Sequence, residues 1–243
     1  MVFFRKKYSY FAWLDPHRPP CHDVPMAHGP IQLTPDLYTY YKSVGYREPG
    51  ALAELRQHFQ NHPQHHMHTL PEVAQVLSFL VQMAQPQHIL EIGTFIGYST
   101  LAMALVMPAH CHLTTCDINQ DLATQAQVFW EQAGCGARIH FKEGRAHDTL
   151  HTLESQGFVA DFTYIDADKA GYLDYYEWAL RLAPVGGLIL LDNTLSGGRV
   201  IHAHPPAHTQ AIQKTNAFIH QDARVDMVML PMGDGITLVR KRP

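Results

Sequence analysis

Cysteine is scarce in this chain of 243 residues: Cys21, Cys111, Cys116 and Cys135 are all there is, and no two form a CxxC pair. That argues against a disulfide framework and a cysteine-built zinc module, and points to reduced thiols in a cytoplasmic protein. Charge is sparse as well. Only 16% of residues are charged, and 18 Lys and Arg stand against 22 Asp and Glu, a net charge of -4. No basic field is available to attract nucleic acid, so no nucleic-acid partner is expected. No stretch approaches the ~20 consecutive apolar residues that cross a bilayer, so no membrane association is expected either. The basic, aromatic start from Met1 to Leu14 is interrupted by Arg5, Lys6 and Lys7 and is followed by no small-residue cleavage site. It reads as a tail, not as a secretion signal. Both glycine fingerprints for a pyrophosphate, GxGxxG and GxxxxGK[ST], are missing.

What is present suffices for a folded core, because 46% of residues are hydrophobic and disorder is excluded. Histidine is over-represented, with 18 residues and two clusters: His62, His65, His66 and His68, then His202, His204 and His208. Such tracts bind divalent metals or simply lie in solvated loops, and neither cluster has a zinc-finger frame.

The first 33 residues, rich in proline and histidine, read as an extended N-terminal arm. Residues 34–243 read as a single domain, in which 34–85 form a helical extension in three pieces and 86–243 an α/β core. Pro49 and Gly50 end the first piece, and Pro71 opens the last, with Val73, Val76, Leu77 and Leu80 on one face. Beyond Gln85 short apolar runs alternate with helical stretches. The runs are His88–Ile92, His112–Cys116, Arg138–Phe141, Phe162–Ile165 and Gly187–Leu191, followed by Val225–Leu230 and Gly235–Val239 around a tight Met232–Gly235 turn. The pattern predicts a mostly parallel sheet with helices on both faces and an antiparallel C-terminal edge.

Three clusters of residues carry the chemistry. Gly93 and Gly97 lie in a strand–loop–helix segment where a ligand can approach the backbone closely, and the ligand is one without a pyrophosphate at this loop. Asp117 ends the second strand, where an acid either accepts both hydroxyls of a ribose or caps the next helix. Asp166 follows the fourth strand, and Asp192 and Asn193 follow the fifth. If those strands are neighbours, about 4.8 Å apart, their hard oxygen donors converge and suit Mg²⁺, Mn²⁺ or Ca²⁺. The alternative is helix caps and strand-end solvation. Lys169 either serves there as a general base or pairs with Asp166 or Asp168.

The segments LEIGTFIGYSTLAMAL, CDIN, EGRA, YIDADKAGYLDYY, VGGLILLDNTLSGGRV and LPMGDGITLVRKR, in this order from about Met67 to Arg240, carry a resemblance. The chain resembles the class I S-adenosylmethionine-dependent O-methyltransferases of the caffeoyl-CoA and catechol type, O-methyltransferase family 3. The resemblance implies a Rossmann-like seven-stranded methyltransferase sheet, usually in a homodimer. It further implies S-adenosylmethionine contacts at Thr69, Glu91, Gly93, Thr94, Ser99, Asp117, Ala146 and Asp168. A divalent cation would sit on Asp166, Asp192 and Asn193, with Lys169 as catalytic lysine beside Asp166. The implied reaction is metal-dependent methyl transfer to a hydroxyl of a catechol-like small phenol. The plant enzymes carry Trp-Asn after the fifth strand, where this chain has Ser196-Gly197. That departure turns the expectation from a CoA-linked acceptor toward a smaller free phenol. Two rivals share the sheet: a nicotinamide-dependent oxidoreductase, and a non-catalytic module that binds S-adenosylmethionine or metal.

Overall fold

The computed structural model describes residues 31–243. The expected N-terminal arm up to residue 30, the tail Met1–Leu14 and Cys21 lie outside the described residues. The chain divides into two units, residues 1–41 and 42–243. Helix α1 (Pro35–Val44) opens in the first, where the Thr34 hydroxyl accepts from the Leu37 N–H at 3.3 Å and its carbonyl from the Tyr38 N–H at 2.8 Å. A proline at the first position and Asp36 in the first turn suit the orphan N–H groups and positive dipole end found there.

The second unit begins with α2 (Gly50–His58) and α3 (Pro71–Ala84), then alternates strand and helix. The order is β1 (His88–Ile92), α4 (Tyr98–Ala104), β2 (His112–Asp117), α5 (Gln120–Gln132), β3 (Ile139–Glu143), α6 (Ala146–Ser155) and β4 (Phe162–Ile165). It continues with α7 (Tyr172–Leu182), β5 (Leu188–Leu191), α8 (Ala207–Gln221), β6 (Val225–Leu230) and β7 (Ile236–Lys241). The helical pieces and strands lie where the hydrophobic pattern puts them. One seven-stranded sheet runs β3-β2-β1-β4-β5-β7-β6. The first five strands pair in parallel, and β7 is antiparallel to both β5 and β6. The last strand is therefore inserted next to β5, and β6 forms the edge. This is the Rossmann-like sheet that the resemblance implies.

Strand alternation divides the core between the two faces. Ile89, Phe162, Tyr164 and Leu190 pack with α2, α3, α4 and α5. Leu90, Ile92, Ile165, Ile189 and Leu191 pack with α6, α7 and α8. No described helix is long and apolar enough to cross a membrane.

The entry to α4 is tight. Gly97 caps the helix with φ +71°, and a Cβ there would stand 2.6 Å from Cζ2 of Trp130. Trp130 is buried and donates its indole N–H to the Gly97 carbonyl at 3.3 Å, so it cannot retreat. Gly97→Ala should cost about 2 kcal/mol or more and lower the melting temperature by roughly 4–8 °C. Thermal unfolding followed by circular dichroism measures this, and an unchanged midpoint would show that the helix entry adapts.

Candidate active site

Strand register builds the site. Ile92 pairs with Cys116 on one side and Ile165 on the other, and Ile165 pairs with Leu191. The next residues, Asp117, Gly93, Asp166 and Asp192, therefore stand level across four neighbouring strand tips. The backbone continues the ladder one step further: Gly93 N–H donates to the Cys116 carbonyl at 3.0 Å, Asp166 to Ile92 at 2.9 Å and Asp192 to Ile165 at 3.0 Å. Gly93 has φ +100°, and a Cβ on it would lie 2.1 Å from the Asp166 carbonyl oxygen. Only glycine lets the loop lie against the fourth strand tip so closely.

A cavity of about 860 Å³ opens over this row. Its lining includes Thr69, Gly93, Thr94, Ser99, Asp117, Ala146, Asp166, Asp168, Lys169, Asp192 and Asn193. Eleven of the twelve residues expected from the sequence are thus brought together. Glu91 is the exception. It lies fully buried beneath the glycine loop, accepting from Ser99 Oγ at 2.6 Å, Thr115 Oγ1 at 2.7 Å and Thr100 Oγ1. It ties β1 to the first turn of α4 and to β2, and it does not line the cavity.

Asp117 resolves one of the open alternatives. The cap of α5 is Asn119, whose side chain accepts from Leu122 N–H at 3.1 Å. Asp117 instead accepts from the N–H groups of Thr94 at 3.0 Å and Phe95 at 2.8 Å through Oδ2, and from Asn119 N–H at 3.0 Å through Oδ1. The carboxylate is thereby locked to the loop at the cavity wall. Asp168 is held by Tyr175 Oη at 2.5 Å and Gly171 N–H at 3.1 Å.

Lys169 pairs with Asp166, not with Asp168. Its ammonium donates to Asp166 Oδ1 at 2.9 Å, Asn193 Oδ1 at 2.7 Å and Tyr172 Oη at 2.5 Å. Three donor hydrogens meet three acceptors. Asp192 is almost fully buried, accepting from Tyr164 Oη at 2.6 Å and Asn193 N–H at 2.7 Å. Burial, then the charge of Asp166, pushes its carboxyl above the usual range. Carboxylates gathered this closely call for positive charge, and the ammonium stands in for it. Two carboxylates and an amide oxygen can hold a hard divalent cation in its place.

Three tyrosines escaped the sequence reading: Tyr164 beneath Asp192, Tyr172 beneath Lys169 and Tyr175 beside Asp168. Tyr164 and Tyr172 are buried phenols whose hydroxyls need partners, and alternation along β4 puts Tyr164 on the same side as Asp166. Burial keeps both phenols protonated, so they act as donors. Cys116 also lines the cavity, but burial pushes its thiol up to about 12 and leaves it inert. His66 and His68 reach the rim, whereas His202, His204 and His208 are exposed outside it. Among the described residues no three His, Cys, Asp or Glu side chains gather as a metal site; the set described above counts Asn193 as its third ligand.

A family model described as O-methyltransferase matches residues 42–242. The chain belongs to the O-methyltransferase family. It is 36% identical over 215 residues to a caffeoyl-CoA O-methyltransferase of Stellaria longipes, covering 84% of this chain and 88% of that one. Among solved structures it resembles the O-methyltransferase TomG of Streptomyces achromogenes in complex with SAM, with TM-score 0.77 and 28% identity over 86% of this chain and 96% of that one. It also resembles the SAH-bound methyltransferase PaMTH1 of Podospora anserina, with TM-score 0.79 and 26% identity over 88% and 100% of the two chains. The nicotinamide-dependent alternative is not favoured by these matches. The chain is an O-methyltransferase.

Burial raises the Glu91 carboxyl from 4.5 to about 7, against the opposing effect of its three hydroxyl donors. The folded state then holds a proton that the unfolded state has released. This contribution is fully present below pH 4.5 and is lost as pH rises to about 7, a difference of about 3 kcal/mol. Urea unfolding across that range should show a steeper decline for the parent than for Glu91→Gln. Parallel curves for the two proteins would contradict the assignment.

Proposed function

We propose that the chain transfers a methyl group from S-adenosylmethionine to a hydroxyl of a catechol-like small phenol, with a divalent cation on Asp166, Asp192 and Asn193. The observation that carries this is the position of the Lys169 ammonium, 2.9 Å from Asp166 Oδ1 and 2.7 Å from Asn193 Oδ1. Oxygen donors from two strand tips already surround a positive charge, in the same cavity that the glycine loop and Asp117 line.

Bound here, the cation would acidify a coordinated hydroxyl, as zinc lowers the pKa of its water by roughly nine units, and S-adenosylmethionine would supply an electrophilic methyl carbon. The chain's own residues do the rest. Asp117, fixed by the loop N–H groups, keeps lone pairs for the ribose hydroxyls. Gly93 leaves the loop open to close approach, and Asp168, held by Tyr175, borders the same space. Tyr164 and the Asn193 N–H orient Asp192 toward the cavity floor. Lys169 takes the proton from the acceptor hydroxyl at Nζ, which requires its amine to be neutral and released from Asp166 and Asn193. The departure at Ser196-Gly197 removes an aromatic wall and supports a small free acceptor over a CoA-linked one.

A methyl-donor turnover assay over a panel of catechols, with EDTA and with Mg²⁺ or Mn²⁺, tests this reading. Turnover should need the metal, and Asp192→Ala should lower it by about 100-fold or more while leaving S-adenosylhomocysteine affinity within a few-fold. Full activity of Asp192→Ala in chelator would remove the mechanism. Lys169→Met should lower kcat by roughly 100- to 1,000-fold with little change in S-adenosylhomocysteine binding. A kcat near that of the parent would assign proton removal to water.

A further inference from the structure

The cavity carries a cation that the proposed chemistry does not use. Five carboxylates and two cationic side chains line it, Lys169 and Arg199. Lys169 is committed to Asp166 and Asn193. Arg199 is exposed, and among the described residues it has neither an ion pair nor a side-chain hydrogen bond. It follows Asn193 by six residues and lies on the same turn that departs from the plant pattern.

That turn explains where the guanidinium rests. Gly197 and Gly198 take φ +60° and +76°. A Cβ on Gly197 would stand 2.9 Å from Nη1, 3.3 Å from Cζ and 3.4 Å from Nη2 of Arg199. The guanidinium therefore lies folded over the bare Gly197 backbone and takes space that a larger residue would fill. Asp234 anchors the turn by accepting from the Gly197 N–H at 2.5 Å and is not within ion-pair distance of Arg199. A guanidinium presents a flat fork of donors that matches a carboxylate, and none of those donors is engaged.

We propose that Arg199 is a specificity-determining residue that selects acceptors bearing a carboxylate, so that the substrate is a small catechol acid of dihydroxybenzoate size. This rests on the O-methylation of catechols proposed above and deepens it. The cavity can tolerate the extra negative charge once a divalent cation and a sulfonium offset its carboxylates. The cavity of about 860 Å³ has room for a small aromatic acid, and the guanidinium on its lining supplies the contact to the carboxylate.

The test compares 3,4-dihydroxybenzoate with its neutral methyl ester in the parent, Arg199→Gln and Arg199→Lys, with metal and methyl donor present. Arg199 is exposed, so the variants should melt with the parent. The parent should favour the acid in kcat/KM. Arg199→Gln should raise KM for the acid roughly five- to tenfold, with kcat and both constants for the ester little changed. Arg199→Lys should recover part of the loss, because it keeps the charge without the fork. Calorimetric titration of the acid into the protein with Mg²⁺ and S-adenosylhomocysteine should show the same loss of affinity. Methylation of the ester with an acid-to-ester ratio that Arg199→Gln leaves unchanged would overturn the inference and leave the proposed function standing. Methylation of neither compound, nor of any catechol in the panel, would overturn both.

Discussion

The close contact between Gly93 and the backbone of Asp166 is the constraint on which the site depends. It exists because β1 and β4 pair in parallel with Ile92 opposite Ile165, so the two chains leave the sheet at the same height. A side chain at position 93 would push the loop off the fourth strand tip. The wall carrying Asp117 and the floor carrying Asp166 would then separate. One missing Cβ joins the two halves of the cavity.

Around that contact the sequence places polar groups in buried positions and satisfies them in pairs. Glu91 is carried by three hydroxyls and Asp192 by a phenol and an amide N–H. Each arrangement is costly to desolvate and is tolerable because donors are already aimed at it. The same arrangement leaves Asp166 and Asn193 to face the cavity, where a single ammonium pairs with the carboxylate and donates to the amide oxygen.

Family membership and cavity chemistry answer different questions. The matches to O-methyltransferases establish the class of enzyme and its sheet. The acceptor is a separate matter, and the proposal above places its choice on the turn after β5. There the proposed selection rests on Arg199, whose guanidinium lies over the bare Gly197 backbone at the cavity.

By itself the sequence determined the order and kind of the elements, since hydrophobic period, proline and glycine punctuation and strand-end acids are local signals. It also marked Asp117, Asp166, Asp192 and Asn193 as candidates, because each acid closes an apolar run. Only the tertiary structure decided what those residues face. Whether Asp117 caps a helix or grips a loop depends on the neighbour of β2, and whether Lys169 meets Asp166 or Asp168 depends on the turn after β4. Glu91 lies on the same strand as the glycine loop, yet alternation turns it into the core beneath the cavity. Tyr164, Tyr172 and Tyr175 were not singled out, because a phenol reveals its role only through the partner its hydroxyl finds. The Tyr164–Asp192 contact joins residues 28 positions apart, and no local pattern along the chain records it.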